Sequence, residues 1–218
     1  MRTWLRVIGA GALGLGLVFI ALQDAVASPS TILVFGDSLS AAYGIRPEQG
    51  WVALLTQRLH SQGYGYQIVN ASVSGETSEG GRERLPRALQ LHQPGIVILE
   101  LGANDGLRGL PVSATRDNLA ALVQLSQVAG ARVLLVGLRI PPNYGQRYTE
   151  AFARIFPELA EQYHVPLVPF LLEKVALNPE LMQPDGLHPN SQGEPPILDT
   201  LWPYLKPLLV KNPHSGGH

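Results

Sequence analysis

Five residues spread along the chain have the types that nucleophilic acyl transfer requires: Ser38, Gly75, Asn104, Asp185 and His188. A serine hydroxyl is a poor nucleophile at neutral pH, so a histidine must take its proton. A carboxylate must hold that histidine in one tautomer and stabilise its cation. Hydrogen-bond donors must meet the oxyanion as it forms. Ser38 stands in the run TILVFGDSLS, where four apolar residues stop at Gly36-Asp37-Ser38. Asp185 lies three residues before His188, across Gly186, so a tight turn can bring its carboxylate to Nδ1 of the ring. Gly75 can offer an unshielded backbone N–H, Asn104 a side-chain N–H, and Ser38 its own N–H.

Each of these residues also has an ordinary structural use. Gly, Asp and Ser are common turn residues, and Asp185 followed by Gly186 is a standard turn pair. His188 before Pro189 suits a surface position, and Gly75 suits a tight turn. Asn104 can cap a helix, and Asp105 suits a cap better than catalysis. The combination is more telling than any member, because of where the elements put them.

Those elements alternate. Strands are expected at Ile32–Phe35, Gln67–Ala71, Ile96–Leu99, Val133–Val136 and Pro166–Phe170, the last edge-like because its prolines cannot donate to a ladder. Helices are expected at Trp51–Leu59, Thr77–Leu91, Asn118–Val128, Tyr148–Tyr163 and Ile197–Leu209. Pro86, Pro157 and Pro203 fall inside three of them, and Pro86 in particular is expected to kink or break its helix. Continuous apolar strands between helices argue for a parallel sheet covered on both faces, a doubly wound α/β sandwich. Ligands of such sheets bind at the carboxyl ends of the strands. The segments that follow the strands hold GDSLS, NASVSGETS, ELGANDGLRG, GLRIPPNYG and QPDGLHPNSQG, so all five candidate residues collect at one edge.

The whole chain bounds the reading. It has 218 residues, 45% hydrophobic and 15% charged, which suits one globular domain with a full core. A net charge of -1 with no Lys/Arg block disfavours nucleic acid as a partner. With no cysteine there are no disulfides, thiolate metal sites or cysteine nucleophiles. Residues 1–27 read as an export signal: Arg2 and Arg6, an uncharged run from Val7 to Leu22, then Ala25-Val26-Ala27 before Ser28. The run is shorter than the ~20 residues a spanning helix needs. No stable membrane anchor is expected after cleavage, and the mature chain is expected in the periplasm or secreted. Residues 28–210 form the expected single domain, and 211–218 a polar tail.

The blocks GDSLS, SVSGETS, LGANDGLRG and DGLHP resemble, in order, the four blocks of the SGNH (GDSL-type) hydrolases. The likeness runs over the mature chain and is strongest to the bacterial secreted thioesterase, lysophospholipase and arylesterase branch. The G-x-S-x-G elbow of the α/β-hydrolases is missing. The resemblance implies a flavodoxin-like three-layer sandwich with a five-stranded parallel sheet. It implies Ser38 as nucleophile, His188 as base, Asp185 as its partner, and Ser38, Gly75 and Asn104 as oxyanion donors. It implies no metal and no cofactor, and hydrolysis of acyl esters and thioesters through an acyl-serine.

Leu107, Leu110, Ile140 and Tyr144 are candidate walls of an apolar acyl pocket. Leu107-Arg108-Gly109-Leu110, beside Gly106, reads as a mobile flap or as an ordinary surface loop. A monomer acting on small acyl substrates is expected. Rival readings are a carbohydrate deacetylase or acetyltransferase on the same fold, and a non-catalytic periplasmic binding protein.

Overall fold

The computed structural model describes residues 31–211; the expected signal segment and almost all of the polar tail lie outside the described residues. Five strands form one parallel sheet: β1 (Thr31–Gly36), β2 (Gln67–Asn70), β3 (Ile96–Glu100), β4 (Arg132–Val136) and β5 (Leu167–Val168), in the order β2-β1-β3-β4-β5. Every residue of β3 is buried, as are Ile32–Gly36 of β1, which is what a strand covered on both faces demands. α1 (Trp51–Ser61) and α6 (Glu194–Leu205) cover one face. α2 (Ser78–His92), α4 (Val112–Val128) and α5 (Gln146–Tyr163) cover the other. A short helix, α3 (Ala103–Leu107), follows β3 where the sequence pattern had suggested only loop. α4 begins six residues earlier than its apolar spacing indicates, and α6 begins at Glu194, ahead of two prolines that a first helical turn accepts.

The prolines inside helices do not break them. α2 runs through Pro86, α5 through Pro157 and α6 through Pro203. All three sit on the solvent side, so the carbonyl that each leaves without a donor can be hydrated. On the opposite side of α2, Leu85 and Leu89 are buried and hold the helix to the sheet.

The strand order reverses between β1 and its neighbours β2 and β3, which opens a crevice at their carboxyl ends. Here Gly36 of β1 pairs with Glu100 of β3. A Cβ on Gly36 would lie 2.6 Å from Oε2 of Glu100 and 2.7 Å from its backbone oxygen. Only glycine lets the two strand ends meet. A second tie comes from the far face: Glu194 accepts the N–H of Trp51, the first residue of α1, at 2.7 Å. The Trp51 indole in turn donates to the carbonyl of Leu39 at 3.1 Å, which pins the turn beyond Ser38. Burial pushes the Glu194 carboxyl up to about 7, against the opposing pull of the Trp51 N–H.

Two outcomes follow from these ties. Gly36→Ala forces β3 backbone away and should cost about 1–3 kcal/mol, read as a lower urea midpoint at unchanged slope. An unchanged midpoint would show that the strand ends have slack. For Glu194, the native state binds its proton more tightly than the unfolded chain. The stabilisation is therefore full below the ordinary carboxylate range and is lost as pH rises through about 7. Glu194→Gln keeps the acceptor without the charge, so its Tm should fall less than wild type between about pH 5 and about pH 8. Parallel pH profiles would refute the assignment.

Candidate active site

The turn after β1 is wired from below. Asp37 is fully buried, and its Oδ1 accepts the N–H of Leu39 at 3.1 Å. Its Oδ2 accepts Nδ2 of Asn104 at 3.2 Å. Its own N–H donates to Oε2 of Glu100 at 3.3 Å, and the Ser40 hydroxyl donates to the same oxygen at 2.7 Å. Burial raises the Asp37 carboxyl to about 6, although the Leu39 N–H, His188 and Asn104 all pull it down. Burial, and then the charge of Asp37, keep Glu100 well above the ordinary carboxylate range. With its neighbours held on both sides, Ser38 stands half-buried at the mouth of the crevice.

The histidine arrives from the other end of the chain. The segment before α6 doubles back through an antiparallel bridge between Met182 and Pro189, closed by the Gln183 N–H to the His188 carbonyl at 2.7 Å. Gly186, at φ +67°, takes the left-handed conformation that the tight turn needs. Asp185 Oδ1 accepts the N–H groups of Leu187 and His188 at 2.9 and 3.0 Å, and Oδ2 meets His188 Nδ1 at 2.6 Å. Partial burial works against the Asp185 charge, but the donors from His188 and Leu187 outweigh it and hold the carboxyl below its ordinary range. A carboxylate at Nδ1 places the ring proton there, so Nε2 carries the lone pair. That nitrogen is 2.8 Å from Ser38 Oγ.

Gly75 and Asn104 flank this row from the β2 and β3 ends. The Gly75 loop hangs on β1 through Ala71 N–H to the Val34 carbonyl and Val73 N–H to the Gly36 carbonyl. Arg84 braces it, donating to the Ala71 carbonyl at 3.0 Å and to Glu76 at 2.6 Å while stacked over Phe35. Gly75 itself has φ +81°, and its carbonyl accepts from Arg108 at 2.8 Å. Among the described residues, neither the Ser38 N–H nor the Gly75 N–H has a protein acceptor. Asn104 sits in the first turn of α3, with its side chain turned by Asp37. Asp105 caps a helix, though not its own: its carboxylate takes the N–H and hydroxyl of Ser78 at the start of α2, and so fastens α3 to α2.

A cleft of about 750 Å³ opens beside Ser38 and His188. Leu107 and Ile140 line it. Leu110 and Tyr144 do not, contrary to the sequence expectation. Their polar groups instead anchor the segment expected to be a flap: the Tyr144 hydroxyl donates to the Leu107 carbonyl at 2.8 Å, and the Tyr148 hydroxyl donates to the Leu110 carbonyl at 2.7 Å. Much of the wall comes from residues that sequence reasoning passed over: Tyr43, Leu138, Phe170, Leu172, Leu177 and Met182. The available signal was the apolar content of the stretch between β5 and His188, which follows a strand's carboxyl end as the chemical blocks do.

A profile of the GDSL-like lipase/acylhydrolase family matches residues 34–194. The esterase TesA of Pseudomonas aeruginosa is 49% identical over 194 residues, spanning 89% of this chain and 96% of its own length. The thioesterase 1/protease 1/lysophospholipase L1 of Escherichia coli is 45% identical over 193 residues, spanning 88% of this chain and 91% of its own. A crystal structure of TesA superposes with a TM-score of 0.81 at 51% identity, covering 82% of this chain and 99% of that one. The crevice at the β1–β3 switch point, the blocks that fill it and these likenesses agree, and the chain belongs to the GDSL-like lipase/acylhydrolase family.

Proposed function

We propose that this chain is a serine esterase and thioesterase that hydrolyses acyl esters, acyl thioesters and lysophospholipids through an acyl-serine intermediate. The observation that carries the reading is the hydrogen-bonded row Ser38 Oγ, His188 Nε2, His188 Nδ1, Asp185 Oδ2, with steps of 2.8 and 2.6 Å, at the mouth of an apolar cleft. Its components have the geometry of a nucleophile, a base and an orienting carboxylate.

In this reading Ser38 Oγ attacks the carbonyl carbon while its proton passes to His188 Nε2. Asp185 stabilises the imidazolium without taking the proton. The negative charge that builds on the carbonyl oxygen meets the N–H groups of Ser38 and Gly75 and the free Nδ2 hydrogen of Asn104. Collapse breaks the bond to the leaving oxygen or sulfur, which takes the proton from Nε2. A water then gives a proton to Nε2 and attacks the acyl-serine. The second collapse releases the acid and returns the proton to Ser38. Asp37 serves by turning the Asn104 amide, which has one hydrogen engaged at 3.2 Å and the other available.

The cleft volume and its apolar wall favour medium and long acyl chains over acetyl groups, which need only a closed small pocket. We read the mature chain as exported, on the strength of the basic start, apolar run and Ala25-Val26-Ala27 site. No helix among the described residues is long and apolar enough to cross a membrane.

Two measurements test this reading. Mature wild type and Ser38→Ala are assayed on p-nitrophenyl esters from acetate to palmitate and on matched acyl-CoAs. Wild type should prefer medium or long chains, and the variant should lose at least about 10⁴-fold in kcat. Cleavage of acetyl esters alone would move the reading to a deacetylase, and a folded, inactive wild type would sink it. For export, the mass of the protein recovered outside the cytoplasm should correspond to a chain beginning at Ser28. A full-length mass there would contradict cleavage.

A further inference from the structure

Tyr43 is 51% exposed, yet its ring lies against the imidazole of His188, with centroids 4.6 Å apart and planes tilted by 42°. It also lines the cleft. A half-solvated aromatic on a surface turn is free to wander unless its backbone is held, and here it is held on every side. Ala42 and Gly44, its chain neighbours, are both left-handed, at φ +57° and +75°. A side chain on an alanine rarely tolerates that region. The Ala42 methyl is accommodated because Gly50 has none: a Cβ there would come within 2.8 Å of it.

The Tyr43 N–H donates to the Ser38 carbonyl at 3.2 Å. The Tyr43 carbonyl accepts from Gln183 Nε2 at 2.8 Å, and the same nitrogen donates to the Pro189 carbonyl at 2.8 Å. Backbone of Gln183 donates to the carbonyl of His188. A Cβ on Gly44 would lie 2.2 Å from Oε1 of Gln183, so the bridge requires glycine there. One turn thus couples the residue carrying the ring to Ser38 on one side and to the chain around His188 on the other.

The consequence rests on the acyl-transfer reading above. In that chemistry Nε2 hands its proton to the departing atom, so the leaving group must lie beside the imidazole. The aliphatic wall formed by Leu107 and Ile140 comes from the segments after β3 and β4, whereas Tyr43 comes from the segment after β1. We infer that Tyr43 determines specificity for the leaving group: one face of its ring positions His188, and the exposed remainder offers an apolar wall to a ring-bearing or otherwise apolar leaving group.

The test uses benzyl and methyl esters of one medium-chain acid, whose leaving alcohols have nearly equal basicity and differ in the ring. Wild type, Tyr43→Phe and Tyr43→Ala are compared by kcat and KM on both esters, with a series of acyl lengths as control and a melting curve to establish folding. Wild type should favour the benzyl ester. Tyr43→Ala should lose about five- to tenfold of that preference, mainly through a higher KM for the benzyl ester. Tyr43→Phe should keep the preference, and the acyl-length profile should stay as in wild type. A benzyl-to-methyl ratio that holds within about twofold in Tyr43→Ala overturns the inference. So does an equal fall on both esters and all acyl lengths, which marks a merely structural ring. Absence of Ser38-dependent activity in wild type overturns the acyl-transfer reading and this inference together, a result distinct from either.

Discussion

The carboxyl ends of β1 and β3 meet at a point with no room for a side chain, and the candidate site is built outward from that contact. Gly36 leaves space for the Glu100 carboxyl, which receives the Asp37 N–H and the Ser40 hydroxyl. That fixes the turn on which Ser38 stands. Asp37 then reaches across to the Asn104 amide, so the first turn of α3 is set by the same buried group. Displace the strand ends by a few tenths of an ångström and Ser38, the Asn104 amide and the crevice between them all move together.

The three carboxyl groups near Ser38 live in opposite environments. Asp37 and Glu100 are buried, and burial drives both toward the neutral acid. Asp185 is exposed and takes three donors from the short turn it begins, so its carboxyl is held below its ordinary range. The group held below its ordinary range is the one beside the histidine that must bear a positive charge in the proposed reaction. The two buried groups serve geometry: as hydrogen-bond acceptors at strand ends they orient a turn and an amide. Burial of a carboxyl is tolerable when it is neutral or fully hydrogen-bonded, and this arrangement divides the roles accordingly.

Around this centre, the supporting contacts come from distant parts of the chain. Trp51 and Glu194 tie α1 and α6 to the turn after Ser38, while Asp105 and Ser78 tie α3 to α2. Arg84 and Arg108 brace the Gly75 loop from α2 and from the end of α3. Tyr144 and Tyr148 hold the segment from Leu107 to Leu110 by its carbonyls. Tyr144, which the sequence offers as a pocket wall, is in this way a fastener, its hydroxyl bonded to the Leu107 carbonyl.

The sequence alone determined the alternation of strands and helices, the edge position of the last strand, and the gathering of Ser38, Gly75, Asn104, Asp185 and His188 at one end of the sheet. Those features rest on local patterns: continuous apolar runs for covered strands, 3.6-residue spacing for helices, and glycine-rich breaks after each strand. Whether Pro86, Pro157 and Pro203 would interrupt their helices depended on which side faced water, and only packing decides that. The short α3 was hidden because Ala-Asn-Asp-Gly-Leu has weak helical preference, and tertiary bonds through Asp105 stabilise it. The cleft wall was the least legible. Tyr43 lies far in sequence from Phe170, Leu172 and Met182, and a cleft is a relation between segments, which no single stretch of residues encodes. Tertiary structure also placed the Tyr43 ring on His188, through a bridge from Gln183, 140 positions away, and the two left-handed residues that flank Tyr43.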